Sequence, residues 1–152
     1  MNNSQSPAST NGSINARDVS SWRVLLVDDE IDNLGVAEKV LTFKGATVHA
    51  TQQSKEALML VETYQPNLIL LDLSMPHIDG WEIHKKLREN PETSSIPVIA
   101  VTAHAMAGDE EKVMQAGFDG YIAKPFRIME LVNQIQDILE RINLINSLNN
   151  KD

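Results

Sequence analysis

"RVLLVDDEID", residues 23 to 32, runs through branched aliphatics and then sets four acids within five residues. An apolar run without alternation reads as a strand covered on both faces, as in a parallel sheet. Two adjacent aspartates at its end raise the electrostatic cost of each other, so something cationic is expected beside Asp28 and Asp29.

The same grammar repeats along the chain. Runs at 23–28 (RVLLVD), 46–50 (ATVHA), 67–72 (NLILLD), 97–102 (PVIAVT) and 119–123 (DGYIA) read as strands, the second more weakly than the others. Segments with helical spacing lie between and after them. Residues 31–44 put Leu34, Ala37 and Leu41 on one stripe and stop at Gly45. Residues 55–64 put Ala57, Leu58, Val61 and Tyr64 on one face behind Ser54, an expected N-cap. "DGWE" at 79–82 has the form of a capping box opening a helix that ends at Asn90-Pro91. Residues 109–116 end at Gly117, and 127–145 form the longest helix, with Ile128, Val132, Ile135, Leu139 and Ile142 inward. Strand and helix alternate five times, which predicts an α/β fold with a doubly wound, five-stranded parallel sheet and right-handed crossovers.

Composition narrows the function. Of 152 residues, 13 are basic and 21 acidic, for a formal charge of −8. That opposes nucleic-acid binding, which needs clustered Lys and Arg. The absence of cysteine excludes disulfides, thiolate metal sites and a thiol nucleophile. No apolar run approaches a membrane span, and no signal peptide opens the chain, so a cytoplasmic protein is expected. Residues 1–21, rich in Ser, Asn, Thr, Gly and Pro, are expected to be a disordered tail, 22–145 the folded domain, and 146–152 a polar tail.

In an open parallel sheet the functional crevice lies at the carboxyl ends of the strands. The residues there are Asp28 and Asp29, Asp72, Thr102 and Lys124; the second run ends without a charge. If the first and third strands are neighbours, three carboxylates converge, and they need compensation. A hard dication suits them, Mg²⁺ above all, with a couple of carboxylates, waters and an incoming phosphate oxygen. Lys124 adds a fixed charge and Thr102 a hydroxyl. Phosphoryl transfer to Asp72 fits that set, because such chemistry asks the protein mainly to position groups and neutralise charge.

These residues resemble the receiver domain of bacterial response regulators, the CheY-like phosphoacceptor of two-component systems. The resemblance spans about residues 22 to 142. It rests on "LLVDDE" (25–30), "LLDLSMPHIDGWE" (70–82), "VIAVTAHA" (98–105) and "AGFDGYIAKPF" (116–126), at intervals of 43 (29 to 72), 30 (72 to 102) and 22 (102 to 124). It implies the flavodoxin-like strand order 2-1-3-4-5, which the residues alone do not give. It implies Asp72 as phosphoacceptor and Asp29, Asp72 and the Ser74 main-chain carbonyl as direct ligands of Mg²⁺, or Mn²⁺ in its place. Asp28 would reach the ion through water. Lys124, typically before a cis bond to Pro125, would pair with the phosphoryl group. Thr102 would be the switch hydroxyl and Tyr121 the aromatic that follows it, with Ala103 small for access. Ser74 and His104 occupy the two positions that tune phosphoryl lifetime; neither is an acid or amide, so unusually fast self-hydrolysis is not expected.

The same resemblance implies a non-enzymatic signalling protein that takes its phosphoryl group from a sensor histidine kinase or a histidine phosphotransfer protein. Output would pass to a protein target over the face of the fourth helix, fifth strand and fifth helix, with a homodimer left open and neither nucleic acid nor membrane involved. Only 26 residues follow Phe126, so a stand-alone receiver is expected. Three rivals stay open: a scaffold that binds without phosphorylation, a receiver cut from a hybrid kinase, and an aspartyl-phosphate phosphatase of the haloacid-dehalogenase type, although the last places a second acid two residues after its nucleophile where this chain has Ser74.

Blander readings exist for single residues. Asp28-Asp29 alone would suit a helix N-terminus, Thr102 a strand end, Lys124-Pro125 a turn and Tyr121 a core. His49, His77 and His84 read as surface residues without metal-ligand spacing, and Met75, Met106, Met114 and Met129 as core or interface filler.

Overall fold

The computed structural model describes residues 14–74, 80–103 and 108–149. Asp79 of the expected capping box, His77, Met75, Met106, His104 and most of the expected N-terminal tail lie outside the described residues.

Five strands, β1 (Arg23–Val27), β2 (Thr47–Thr51), β3 (Leu68–Asp72), β4 (Val98–Thr102) and β5 (Gly120–Ala123), form one parallel sheet in the order β2-β1-β3-β4-β5. The helices are α1 (Ile31–Phe43), α2 (Ala57–Tyr64), α3 (Gly80–Glu89), α4 (Asp109–Gln115) and α5 (Leu131–Asn149). Strand side chains alternate between two cores, as a period of two requires. Val24, Leu26, Leu68, Leu70, Ile99, Val101 and Ile122 face α1 and α5. Leu25, Val27, Ile69, Leu71, Val98 and Ala100 face α2, α3 and α4. β3 and β4 are buried at every position, whereas the edge strand β2 is buried only at Thr51, which explains its weaker apolar run.

Local signals set the ends of several elements. α1 stops because Gly45 takes φ 111°, a left-handed conformation that glycine adopts without steric cost. Gly117 does the same after α4 at φ 100°. Gly120 serves a different purpose. A Cβ there would lie 2.6, 2.7 and 2.9 Å from the Cδ1, Cγ2 and Cγ1 atoms of Ile138, so only glycine lets α5 seat directly on β5.

Four expectations need correction. The folded body starts before residue 22: Ile14 and Ala16 are buried in the α1–α5 core beside the fully buried Trp22. The Trp22 indole N–H donates to the Asn15 carbonyl (2.9 Å), the Asn143 side chain donates to the Ile14 carbonyl (2.9 Å), and Arg17 pairs with Glu140 (3.0 Å). Asp18 caps a 3-10 turn at Val19–Ser21. The polar average of residues 1–21 concealed these apolar side chains. At the other end α5 begins at Leu131 and runs to Asn149, past the expected boundary at 145, and Ile128 lies in the preceding turn with its side chain exposed. Ser54 does not cap α2; it sits buried in a 3-10 turn, Ser54–Glu56, and the Thr51 hydroxyl accepts the Gln53 N–H instead (2.9 Å), while Leu58 reaches the surface. His84 is buried, its ring stacked on Phe118 at 3.9 Å. His49 is exposed as expected, and Met114 and Met129 are surface residues.

Candidate functional site

β1, β3, β4 and β5 end at the same edge of the sheet, and each delivers a polar side chain there. Asp28 follows β1. Its main-chain N–H donates to the Thr51 carbonyl (3.1 Å), and its carboxylate accepts the N–H of Glu30 (2.9 Å), a turn that feeds the chain into α1. Asp72 is the last residue of β3 and only 1 % exposed; one carboxylate oxygen accepts the Ser74 N–H (2.8 Å) and the Ser74 hydroxyl (3.0 Å). Thr102 ends β4, buried, and its carbonyl accepts the Lys124 N–H (2.8 Å). The Lys124–Pro125 bond is cis.

Lys124 reaches back across the sheet edge from β5. Its ammonium lies 3.1 Å from Asp72 Oδ2, 3.3 and 3.4 Å from the two Asp28 oxygens, and 2.8 Å from Glu30 Oε1. Asp28, Asp29 and Asp72 each offer a carboxylate oxygen within 4.8 Å of the others, with Asp29 exposed and the other two buried. Three carboxylates, Asp28, Glu30 and Asp72, thus share one ammonium, with Asp29 beside them. Burial pushes Asp28 up from 3.8 to about 7; the Glu30 N–H opposes that, and the nearby Asp72 charge adds to it. Burial also works to discharge Lys124, but its hydrogen bonds to Glu30 and Asp72 and the surrounding negative charge outweigh burial and raise it, so it stays an ammonium.

The donor set fits a hard dication on chemical grounds. It offers oxygen atoms only, from three carboxylates at one point, and burial first, with the Asp72 charge beside it, disfavours the charged form of Asp28. Such a cluster, with a buried carboxylate between two further carboxylates and a lysine, has the groups to bind an oxyanion once a cation joins it and to stabilise charge that develops there.

The remaining expected residues lie around this centre. The Ser74 hydroxyl is engaged by Asp72 and also accepts the Ala103 N–H at 3.4 Å, which ties the loop after β3 to the loop after β4. Tyr121 is half-buried on β5 opposite Ala100 and packs against the α2–α4 core; burial raises its phenol, and the charges of Asp109 and Glu110 at the start of α4 raise it further. His104 lies outside the described residues. Glu30 was missed by the sequence reading, although its place directly after the two aspartates was a signal.

Comparison with known proteins agrees with this geometry. The response regulator receiver domain family matches residues 24–136. The polar-differentiation response regulator DivK of Brucella anthropi is 37% identical over 116 residues, which cover 76% of this chain and 94% of that protein. A response regulator from Desulfuromonas acetoxidans superposes with a TM-score of 0.71 at 31% identity, covering 80% of this chain and 98% of its own. The Mn²⁺-bound form of response regulator Rcp1 superposes with a TM-score of 0.63 at 25% identity, covering 77% and 91%.

Proposed function

The chain belongs to the response regulator receiver family, and from that premise we propose that it accepts a phosphoryl group on Asp72 from the phosphohistidine of a sensor histidine kinase or histidine phosphotransfer protein, with Mg²⁺ or Mn²⁺ as cofactor. The observation that carries the reading is the placement of a buried carboxylate, Asp72, between a lysine ammonium at 3.1 Å and two further carboxylates gathered at one point.

In the proposed reaction an Asp72 carboxylate oxygen forms the new O–P bond as the donor's P–N bond breaks, and the electron pair returns to the departing imidazole. The Ser74 N–H and hydroxyl hold one Asp72 oxygen, which fixes the direction of the other. Lys124 neutralises a phosphoryl oxygen. Asp29, Asp72 and the Ser74 carbonyl, with Asp28 through water, would hold the metal, whose charge offsets that of the phosphoryl oxygens when bound. The Rcp1 relative, which binds Mn²⁺, supports an ion of this kind at the acidic cluster.

The Thr102 hydroxyl then moves to the phosphoryl group and Tyr121 follows, which repacks the face of α4, β5 and α5 for a protein target. The charges of Asp109 and Glu110 at the start of α4, which act on the Tyr121 phenol, support this route. Strong net acidity favours a protein partner over a nucleic acid, and a phosphohistidine donor implies a cytoplasmic location. Among the described residues no helix is long and apolar enough to cross a membrane.

Intact mass after incubation with acetyl phosphate tests the reading. One phosphoryl adduct that requires Mg²⁺ and vanishes in Asp72→Asn is the expected result. A folded wild-type protein that gains no adduct from acetyl phosphate, with or without Mg²⁺, would overturn it.

A further inference from the structure

We propose that Glu30 is a positioning residue that latches Lys124 in the unphosphorylated protein, and that the phosphoryl group must displace it to claim the lysine. The inference rests on the reading of Asp72 as phosphoacceptor.

Glu30 occupies the N-cap of α1, yet its side chain makes no capping hydrogen bond. Aspartate is the acid that caps the first free N–H groups from that position, whereas the longer glutamate side chain is able to reach past them. Here Oε1 is turned across the sheet edge to Lys124 at 2.8 Å, the shortest of that ammonium's contacts, and the Asn33 amide donates to the same oxygen. The Glu30 main-chain N–H is fixed by Asp28, so the carboxylate starts from an anchored backbone.

An ammonium has three hydrogens to donate. Asp28, Glu30 and Asp72 supply three acceptors, so Lys124 is fully committed before any phosphoryl group arrives. A phosphoryl oxygen on Asp72 therefore has to replace one of the three. Asp28 and Asp72 are buried side chains whose carboxylates would lose hydrogen bonding without access to bulk water. Glu30 is 59 % exposed on its side chain, against 4 % for Lys124, so its carboxylate can be returned to water at the least cost. The geometry selects Glu30 as the leaving partner. Lys124 changes acceptor without changing charge, and the strength of the Glu30 contact sets how much of the lysine's attraction the phosphoryl group receives.

Two substitutions separate the latch from a general field effect. Glu30→Gln removes the charge, whereas Glu30→Asp keeps the charge and shortens the reach. The first readout is exchange of the Lys124 ammonium hydrogens by ¹⁵N NMR in unphosphorylated, metal-free protein. Both variants should exchange faster than wild type. The second is binding of beryllium fluoride, which forms a phosphoryl-like adduct on a carboxylate, at saturating Mg²⁺. Both variants should bind it about three- to fivefold more tightly. Unchanged ammonium exchange in both variants overturns the latch. Tighter binding by Glu30→Gln with none by Glu30→Asp overturns it too, and assigns Glu30 a purely electrostatic influence. Failure of the phosphoacceptor reading would look different: wild type would not bind beryllium fluoride, or Asp72→Asn would bind it equally, whatever the exchange data showed.

Discussion

Replacing Asp28 with asparagine should stabilise the metal-free protein at neutral pH, and the amount follows from where this carboxyl sits. In the unfolded chain it ionises near 3.8; in the folded protein burial pushes it up to about 7. Between those values the folded state holds a proton that the unfolded state has released. Stability from this group is therefore complete below pH 4, falls as pH rises through the window, and is flat above 7. At ~1.4 kcal/mol per pH unit the whole excursion comes to about 4 kcal/mol. Asparagine removes the penalty at the high end, though the figure is a ceiling, because its amide cannot serve both the Glu30 N–H and the Lys124 ammonium as the carboxylate does. Urea unfolding in the presence of a chelator, at a series of pH values from 4.5 to 8, measures it. The gap between variant and wild type should open by a few kcal/mol as pH rises. Saturating Mg²⁺ should then narrow the gap at pH 8, since a ligand at a hundred times its Kd adds about 2.7 kcal/mol to the state that binds it. A difference between the two proteins that does not change with pH would refute the reasoning, because it would mean that Asp28 ionises alike in both states.

Two further outcomes follow from the packing. His84, buried and stacked on Phe118, is lowered from its usual 6.5 by burial and by the Arg88 charge, so the unfolded chain takes up its proton first as pH falls; His84→Leu should keep stability that wild type loses below about pH 6.5, measured as the change in urea midpoint between pH 7.5 and 5. Ile14→Ala should cost about 2 kcal/mol in the same assay, at the lower end for a buried isoleucine because a terminal segment can adjust, and amide exchange should quicken across residues 14–22 before it does in the sheet.

The strands and the residues at their ends were legible because both follow from short-range chemistry. A run such as "NLILLD" is a buried strand on its own evidence, and a buried strand that stops at an acid marks itself. The sheet order was not legible from residues; it came with the resemblance. Glu30 escaped because its partner is 94 residues away and meets it only when β5 lies on the far side of β4 and β3 and sends a lysine back across them. Ile14 and Ala16 escaped because composition averages over a window and two small anchors do not shift it. His84 was assigned to the surface by default, for want of metal-ligand spacing, whereas helix geometry turns position 84 inward with Gly80, Ile83 and Leu87. Ile128 shows the opposite error: periodicity was extended one turn beyond the point where α5 starts.

The docked segment before β1 also bears on where this protein can be cut. The family match covers residues 24–136, but one continuous core contains Ile14, Ala16 and Trp22 on one side of those limits and Ile138 and Leu139 on the other. A fragment trimmed to the shared region would retain every residue of the acidic site while uncovering the inner faces of α1 and the sheet, and Gly120 would face a gap where Ile138 had been. Its weakness would then reflect the trimming and not the chemistry at Asp72.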